Sequence, residues 1–279
     1  MYYYEKREPK PDEELRAKVR AVFEHNRCVY GFKKLYKALR NEGVSIGKGR
    51  LARIIKEENL VSKYVKRRKP RNAESLVNTD DITNKVNRSF NGRKPLEVVV
   101  SDLTYVDVNN KWCYICLLIE LSHREIIGYA AGKSKDAELV KSAWLNVKKD
   151  IRDICIFHTD RGSEFKNEEI DRILKIGNID RSLSRAGTPV DNAACESMYD
   201  IVKTEFVFEE TFANVEDLQS KLGAWVWWYN NERIHSSLGY ITPVESCEIG
   251  ATDEKMANKK YQNFWRQVAV HGQKVGVGD

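Results

Sequence analysis

Three short runs of strand-forming residues follow one another almost without interruption in the middle of the 279-residue chain. They occupy residues 97–108, 111–121 and 125–132, and each is rich in β-branched and aromatic side chains. The breaks between them, Asn109-Asn110 and residues 122–124, are too short for a crossover connection, so consecutive strands must run antiparallel. This part of the chain therefore predicts a three-stranded antiparallel meander.

After this meander the pattern changes from successive strands to alternating helices and strands. A helical pattern over 136–149 is followed by a strand at 154–159, a helix at 167–176, a strand at 180–184 and a long helix from Asp191. Strands that alternate with helices favour parallel pairing. The whole region therefore predicts a mixed α/β sheet with helices on both faces.

The first 60 residues have a helical pattern without strands. Apolar residues recur at helical spacing in residues 12–25, again around Leu35 and Leu39, and in a third, basic segment that Ser45 is expected to cap. Three short helices with a glycine turn are typical of a helix-turn-helix unit that binds DNA. A small helical bundle that only packs on the next domain is the alternative.

The composition predicts a cytoplasmic protein. The breaks between the helical and strand patterns predict how the chain divides into domains. No apolar run approaches the roughly 20 residues of a membrane helix, and no signal peptide opens the chain. The six cysteines are scattered, as in proteins of a reducing compartment. The predicted domains are a helical domain at 1–60, a basic linker at 61–95, a catalytic core at 96–250 and a tail at 251–279.

Positive charge is concentrated between Lys33 and Arg71, although the net charge of the chain is only +6. A basic block beside a neutral remainder indicates a polyanionic partner, and DNA is the one expected here. A solvated helix face is the alternative. The candidate DNA contacts in this block are Arg50, Arg53, Lys66, Arg67 and Arg68.

Three carboxylates stand in contexts that suit a binding site better than a solvated surface. Asp102 interrupts a β-branched strand, Asp160 ends the strand at 154–159, and Glu196 lies near the start of the long helix. Ligands of open α/β sheets bind at the carboxyl ends of strands, and a buried charge is costly unless a cation neutralises it. Oxygen donors suit hard divalent cations, so we expect two magnesium ions (Mg2+), for which Mn2+ would substitute. Structural caps or ion pairs are the alternative.

Three further side chains are candidates for supporting roles. Lys203 follows Glu196 by two helical turns, so both project from one face, where the lysine would contact a DNA phosphate or remain in solvent. His158 shares a strand face with Asp160 and either supports that metal ligand from behind or is an ordinary core histidine. Arg233 either contacts DNA or stabilises its own loop.

The chain resembles the second-frame transposases of the insertion sequence 3 family, within the retroviral-integrase superfamily. The blocks that carry the resemblance, in the family's order, are 30–31, 101–105, 158–165, 187–197 and 229–243. The resemblance implies a ribonuclease H-like core in which Asp102, Asp160 and Glu196 form the metal-binding triad and Lys203 matches a downstream lysine. Three positions depart from the family pattern: Val99 replaces a tryptophan, Glu120 an aspartate and Glu164 a glutamine.

The resemblance also implies a function, namely metal-dependent DNA cleavage and strand transfer at the ends of an insertion element. The first attack would join the two element ends on one strand and give a circular intermediate. We expect a homo-oligomer on DNA, associated with the nucleoid and not with a membrane, and an upstream-frame protein or fusion that recognises the element ends. A ribonuclease H-like nuclease without joining activity and a catalytically inactive DNA-binding derivative are the alternatives.

Overall fold

The computed structural model describes residues 13–64, 83–87, 89–90, 92–185 and 188–250. The N-terminal part is helical, as its apolar spacing predicts, with fully buried apolar side chains on each helix. The third helix begins after Gly47, which makes no side-chain capping hydrogen bond, so the prediction that Ser45 caps it is wrong. The three helices are α1 (Glu13–His25), α2 (Phe32–Asn41) and α3 (Lys48–Glu57).

A five-stranded mixed sheet forms the second part, with strand order β3-β2-β1-β4-β5. The strands β1, β2 and β3 pair antiparallel, and β4 and β5 run parallel to β1, which confirms the predicted ribonuclease H-like arrangement. Asn109 and Asn110 both have positive φ, as a two-residue hairpin turn requires. The strand bounds are β1 (Val98–Val108), β2 (Lys111–Glu120), β3 (Ile126–Gly132), β4 (Ile156–Thr159) and β5 (Asp180–Leu183).

Four helices cover the two faces of this sheet. Alternate residues of β1 point to opposite faces, so Val99 packs with α4 and α5, whereas Val98 and Val100 pack with α6 and α7. No helix of the described residues is both long and apolar enough to cross a membrane. The helices are α4 (Ala137–Leu145), α5 (Glu168–Gly177), α6 (Ala193–Val202) and α7 (Val215–Asn231), with a π-helical turn at Lys203–Val207, 3-10 turns at Ile151–Asp153, Pro189–Asn192 and Ser236–Leu238, and helical residues at 243–250.

The N-terminal helices pack on the core at α7 and the loop that follows it. The Tyr30 hydroxyl accepts a hydrogen bond from the Ile234 backbone N–H at 2.8 Å and donates to the Glu232 carbonyl at 3.3 Å. Arg27 pairs with Glu210 at 3.0 Å. Apolar side chains of the helical unit and of this side of the sheet form one continuous core. The helical unit therefore packs on the core, and its helices also follow one another in a helix-turn-helix-like order.

Candidate active site

Asp102 and Asp160 lie on neighbouring strands at the same edge of the sheet. Strands β1 and β4 are parallel, with residues 98–100 opposite residues 156–158. Asp102 and Asp160 each lie two positions beyond the last of these pairs, so the same register places both carboxylates on one face. The fold therefore brings two of the three predicted acids together, one in the middle of β1 and one just beyond the carboxyl end of β4.

The surroundings of Asp102 disfavour its negative charge. Burial raises the pKa of Asp102 to about 6, and the nearby Asp160 carboxylate adds to the rise. The Leu103 backbone N–H, which donates to Asp102 at 2.7 Å, and the Lys135 ammonium oppose it. Repulsion between clustered acids is present, but loss of water is the larger cause. A cation held between the two carboxylates would counter both effects.

The start of α6 is fixed directly against Asp102. The Asn192 side-chain amide donates to Asp102 Oδ2 at 3.0 Å, and the Tyr199 hydroxyl donates to the Asp102 backbone carbonyl. Glu196 lies four residues after Asn192 and three before Tyr199, so it belongs to the same stripe of the helix. Its side chain is exposed.

The donor atoms at this edge of the sheet suit Mg2+, which prefers oxygen ligands. Asp102 and Asp160 offer carboxylate oxygens, and Asn192 Oδ1 beside them is buried without a hydrogen-bond partner among the described residues. Within the described ranges, no three His, Cys, Asp or Glu side chains stand close enough together to hold a metal ion.

Lys135 and Glu164 also lie at this site, and the lysine was not identified from the sequence. Lys135 Nζ is 2.8 Å from Glu164 Oε1, and this contact raises the pKa of Lys135, with further contributions from Asp160 and Asp102. The only sequence signal was indirect. Glu164 departs from the family's neutral glutamine, and a buried carboxylate needs a cation. The loop between β3 and α4 supplies that cation.

His158 is fully buried behind the two aspartates. Its Nδ1 is 2.8 Å from the Ser182 hydroxyl and its Nε2 is 3.1 Å from the Asp191 carbonyl. Burial lowers the pKa of His158, so the neutral ring donates from Nε2 to the carbonyl and accepts at Nδ1. The histidine thereby ties β4 to the turn that leads into α6, and it is a core histidine with every ring nitrogen satisfied.

The predicted DNA contacts have different surroundings. Arg50 and Arg53 are exposed on α3. Lys203 directly follows α6, and its Nζ is 5.3 Å from the centroid of the Tyr105 ring, which is itself exposed. Both groups are accessible to a DNA backbone. The remaining three, Lys66, Arg67 and Arg68, lie outside the described residues.

Arg233 is buried, and the prediction that it contacts DNA is wrong for this structure. Its side chain is 4% exposed and donates to Glu205, itself 1% exposed, through Nε at 2.7 Å and Nη2 at 2.6 Å. Its Nη1 is 3.1 Å from His235 Nε2. The guanidinium is an internal counter-ion that stabilises its loop, which was the alternative interpretation.

Known protein families match the chain over nearly all of its described length. A family of integrase core domains matches residues 92–189, and a second family with the same description matches residues 178–243. A family of HTH-like domains matches residues 10–68. These matches agree with the mixed sheet and with the three N-terminal helices.

Relatives of the chain come from bacterial insertion elements. The chain is 32% identical over 235 residues to an uncharacterized 31 kDa protein of insertion element IS600 from Shigella sonnei, covering 83% of this chain and 86% of the relative. It is 27% identical to the transposase for IS904 from Lactococcus lactis, covering 82% and 91%. It is 29% identical to a probable transposase for IS1353 from Shigella flexneri over 88% of this chain, and it spans 49% of that relative.

Proposed function

The chain belongs to the family of insertion-element transposases that carry an integrase core, and we propose that it cleaves DNA and transfers the cut strand at the ends of such an element. One observation carries the proposal: Asp102 and Asp160 share one sheet edge in matched register, with Glu196 on the helix that Asn192 fixes to Asp102. Two like charges side by side are stable when a cation lies between them. The polyanionic backbone of DNA requires the same neutralisation.

In this proposal Asp102, Asp160 and Glu196 hold two Mg2+ ions, and Mn2+ can replace them. When bound, the metal supplies activation of the attacking oxygen and charge neutralisation at the leaving oxygen of a phosphodiester. Asn192 and Tyr199 hold α6 against Asp102, so the position of Glu196 depends on a buried helix face.

Cleavage and joining are both in-line displacements at phosphorus, and they differ in the attacking oxygen. Water cuts the strand at the element end, and the freed 3′ hydroxyl then attacks a second strand. Joining therefore requires that two DNA segments be held together, so most of the rate enhancement should come from orienting them. We propose that a homo-oligomer holds the two ends, that an upstream-frame protein or fusion recognises them, and that the first joining reaction gives a circular element.

Phosphate contacts in this proposal come from the half-buried Lys203 near the site and from exposed cations on the helical unit. Lys203 continues the α6 stripe that contains Glu196, so it would contact the backbone beside the metal ions. Arg50 and Arg53 would contact DNA from α3, together with the basic residues 66–68. Because each such contact releases counterions, binding should weaken steeply with added salt.

A strand-transfer assay with pre-cleaved, 3′-hydroxyl element ends tests this proposal. The parent protein should give joined product with Mg2+, and Asp160→Asn should reduce the rate at least about a thousandfold, which corresponds to about 4 kcal/mol of lost transition-state stabilisation. Asp107→Asn is the matched control, because Asp107 is an exposed acid on the same strand as Asp102. It should join at the parent rate.

Two outcomes would replace the proposal by one of its alternatives. If uncut substrate is cleaved but no joined product forms under any condition, the chain is a nuclease. If the Asp160→Asn variant and the parent behave alike in every Mg2+-dependent assay while both bind DNA, the chain is a DNA-binding protein without catalytic activity.

A further inference from the structure

Lys135 places a positive charge beside the paired aspartates. It lies in the loop between β3 and α4, immediately before Asp136, whose carboxylate caps α4 by accepting from the Leu139 N–H at 3.0 Å. The backbone of Lys135 is therefore fixed by the start of a helix. Its ammonium interacts electrostatically with both Asp102 and Asp160, so it is close to the proposed cleavage site.

Glu164 determines where this ammonium group lies. The carboxylate is 4% exposed and packs against Gly162, where an added Cβ would lie 2.3 Å from Glu164 Oε1. The backbone carbonyl of Glu164 accepts from the Asn167 side chain at 2.9 Å, which holds the same turn. A carboxylate confined in this way acts as a fixed anchor for Lys135 Nζ, 2.8 Å away.

The anchored lysine retains donors for a second partner. An ammonium group has three N–H donors, and the Lys135 side chain is 48% exposed although its carboxylate partner is buried. The same corner carries three carboxylates, namely Asp102, Asp160 and Glu164, so an approaching phosphate meets net negative charge there. A cation that is held in place and still faces solvent lowers this barrier.

We propose that Lys135, positioned by Glu164, binds a DNA phosphate adjacent to the cleavage site. The inference rests on the proposed function and adds a contact from a loop outside the basic segment of residues 33–71. Glu164 is a positioning residue in this arrangement and contacts DNA only through the lysine. The family pattern has a neutral glutamine where this chain has Glu164. In this arrangement the negative charge of Glu164 positions the Lys135 ammonium and does not only repel DNA.

The test is DNA binding by the full-length protein as a function of salt, with a duplex that carries an element end and with Ca2+ in place of Mg2+. Lys135→Gln should reduce the slope of log affinity against log salt by about 0.9, the value for one lost phosphate contact on B-DNA. Lys135→Arg should retain the slope. Lys149→Gln is the control, because Lys149 forms a comparable ion pair with Glu125 at 3.0 Å and 12% exposure of the glutamate.

A double variant separates binding from simple charge neutralisation. In Lys135→Gln/Glu164→Gln both charges are absent, so thermal stability should return to the parent value while the salt slope stays reduced. If the double variant recovers both stability and slope, or if Lys135→Gln has the same slope as Lys149→Gln, the lysine is only the counter-ion of Glu164. A parent protein that binds element ends in this experiment and joins them in the Mg2+ strand-transfer assay shows that such a failure is confined to Lys135.

Discussion

Two of the places where the described part of the chain shields carboxylates from water have different surroundings. Where the helical unit meets the core, Glu205 forms two hydrogen bonds, of 2.6 and 2.7 Å, with the buried guanidinium of Arg233. At the carboxyl edge of the sheet, Asp102 faces another carboxylate, Asp160, and burial with this neighbour raises its pKa to about 6. The charge of Glu205 is balanced by a guanidinium of the same chain, whereas Asp102 and Asp160 face each other with the Lys135 ammonium near them and would be balanced further by a bound cation.

The difference separates burial that serves folding from burial that serves function. A buried charge whose partner is provided by the same chain contributes to one defined structure, and removing one partner is costly. Groups with perturbed charge states and no complete internal partner cluster at functional sites. At the first place a substitution removes one partner of an attractive ion pair, and at the second it removes one of two like charges. Substitutions at the two places should therefore change stability in opposite directions.

The largest change in stability is expected at the junction between the helical unit and the core. Arg233→Met should lower the free energy of unfolding by about 3–5 kcal/mol, because it leaves the Glu205 carboxylate buried without a counter-ion. Urea denaturation at neutral pH measures this directly. The double variant Arg233→Met/Glu205→Leu removes both charges and should recover most of the loss. If Arg233→Met is as stable as the parent, this pair does not hold the junction together.

The active-site edge should respond in the opposite way. Asp102→Asn removes a charge that is repelled by Asp160 and keeps an oxygen that can accept from the Leu103 N–H. We expect the free energy of unfolding to rise by about 1–2 kcal/mol without metal, while Mg2+-dependent cleavage is lost. Asp107→Asn, at an exposed position of the same strand, should stay within about 0.5 kcal/mol of the parent. A loss of stability in Asp102→Asn would remove the contrast between the two places.

The sequence was sufficient for features that depend on local pattern. Strand alternation and the Asn109-Asn110 turn specify the meander, and parallel pairing then brings Asp102 and Asp160 together at one edge. The sequence was insufficient for Arg233 and Lys135, because both depend on partners far along the chain, Glu205 at 28 positions and Glu164. An arginine in a polar loop has the same local pattern whether it meets DNA or a buried glutamate, and only the packing distinguishes the two.

Helix starts and the placement of Glu196 show a second limit of the sequence. Several residues before α3 are acceptable caps, and Gly47 rather than Ser45 occupies the position because the turn geometry decides it. The helical stripe predicts that Glu196 faces the same side as Asn192 and Tyr199. The stripe does not predict the distance between the exposed Glu196 carboxylate and the carboxylates of Asp102 and Asp160 that repel it, because that distance depends on the cation.

Acid sensitivity gives a smaller effect at the junction. Burial, with the positive charges of Arg233, Lys34 and Arg124, lowers the pKa of His235 to about 2. The unfolded chain therefore binds a proton below about pH 6.5 that the folded chain excludes, so stability falls as pH drops, by about 1.4 kcal/mol per pH unit at most. His235→Gln should therefore make the free energy of unfolding depend less steeply on pH between pH 7.5 and 5.5.

An exposed histidine provides the control for that pH dependence. His25 lies at the same junction, where 64% of its side chain is exposed and its Nε2 is 3.1 Å from Glu232 Oε2. His25→Gln therefore replaces an exposed ring, whereas His235→Gln replaces a buried one. If His25→Gln flattens the profile as much as His235→Gln does, burial of the imidazole does not cause the acid sensitivity.

The smallest effect is expected from an ion pair at the edge of the same junction. Lys63 pairs with Glu209, and the two side chains are 38% and 29% exposed. Water still solvates both groups, so Lys63→Ala should lower the free energy of unfolding by no more than about 0.5 kcal/mol, and 0.5 M salt should remove most of that. The charges and the junction match those of Arg233 and Glu205, and only burial differs. A loss as large as that of Arg233→Met would mean that pairing at this junction, and not burial, separates it from the active-site edge.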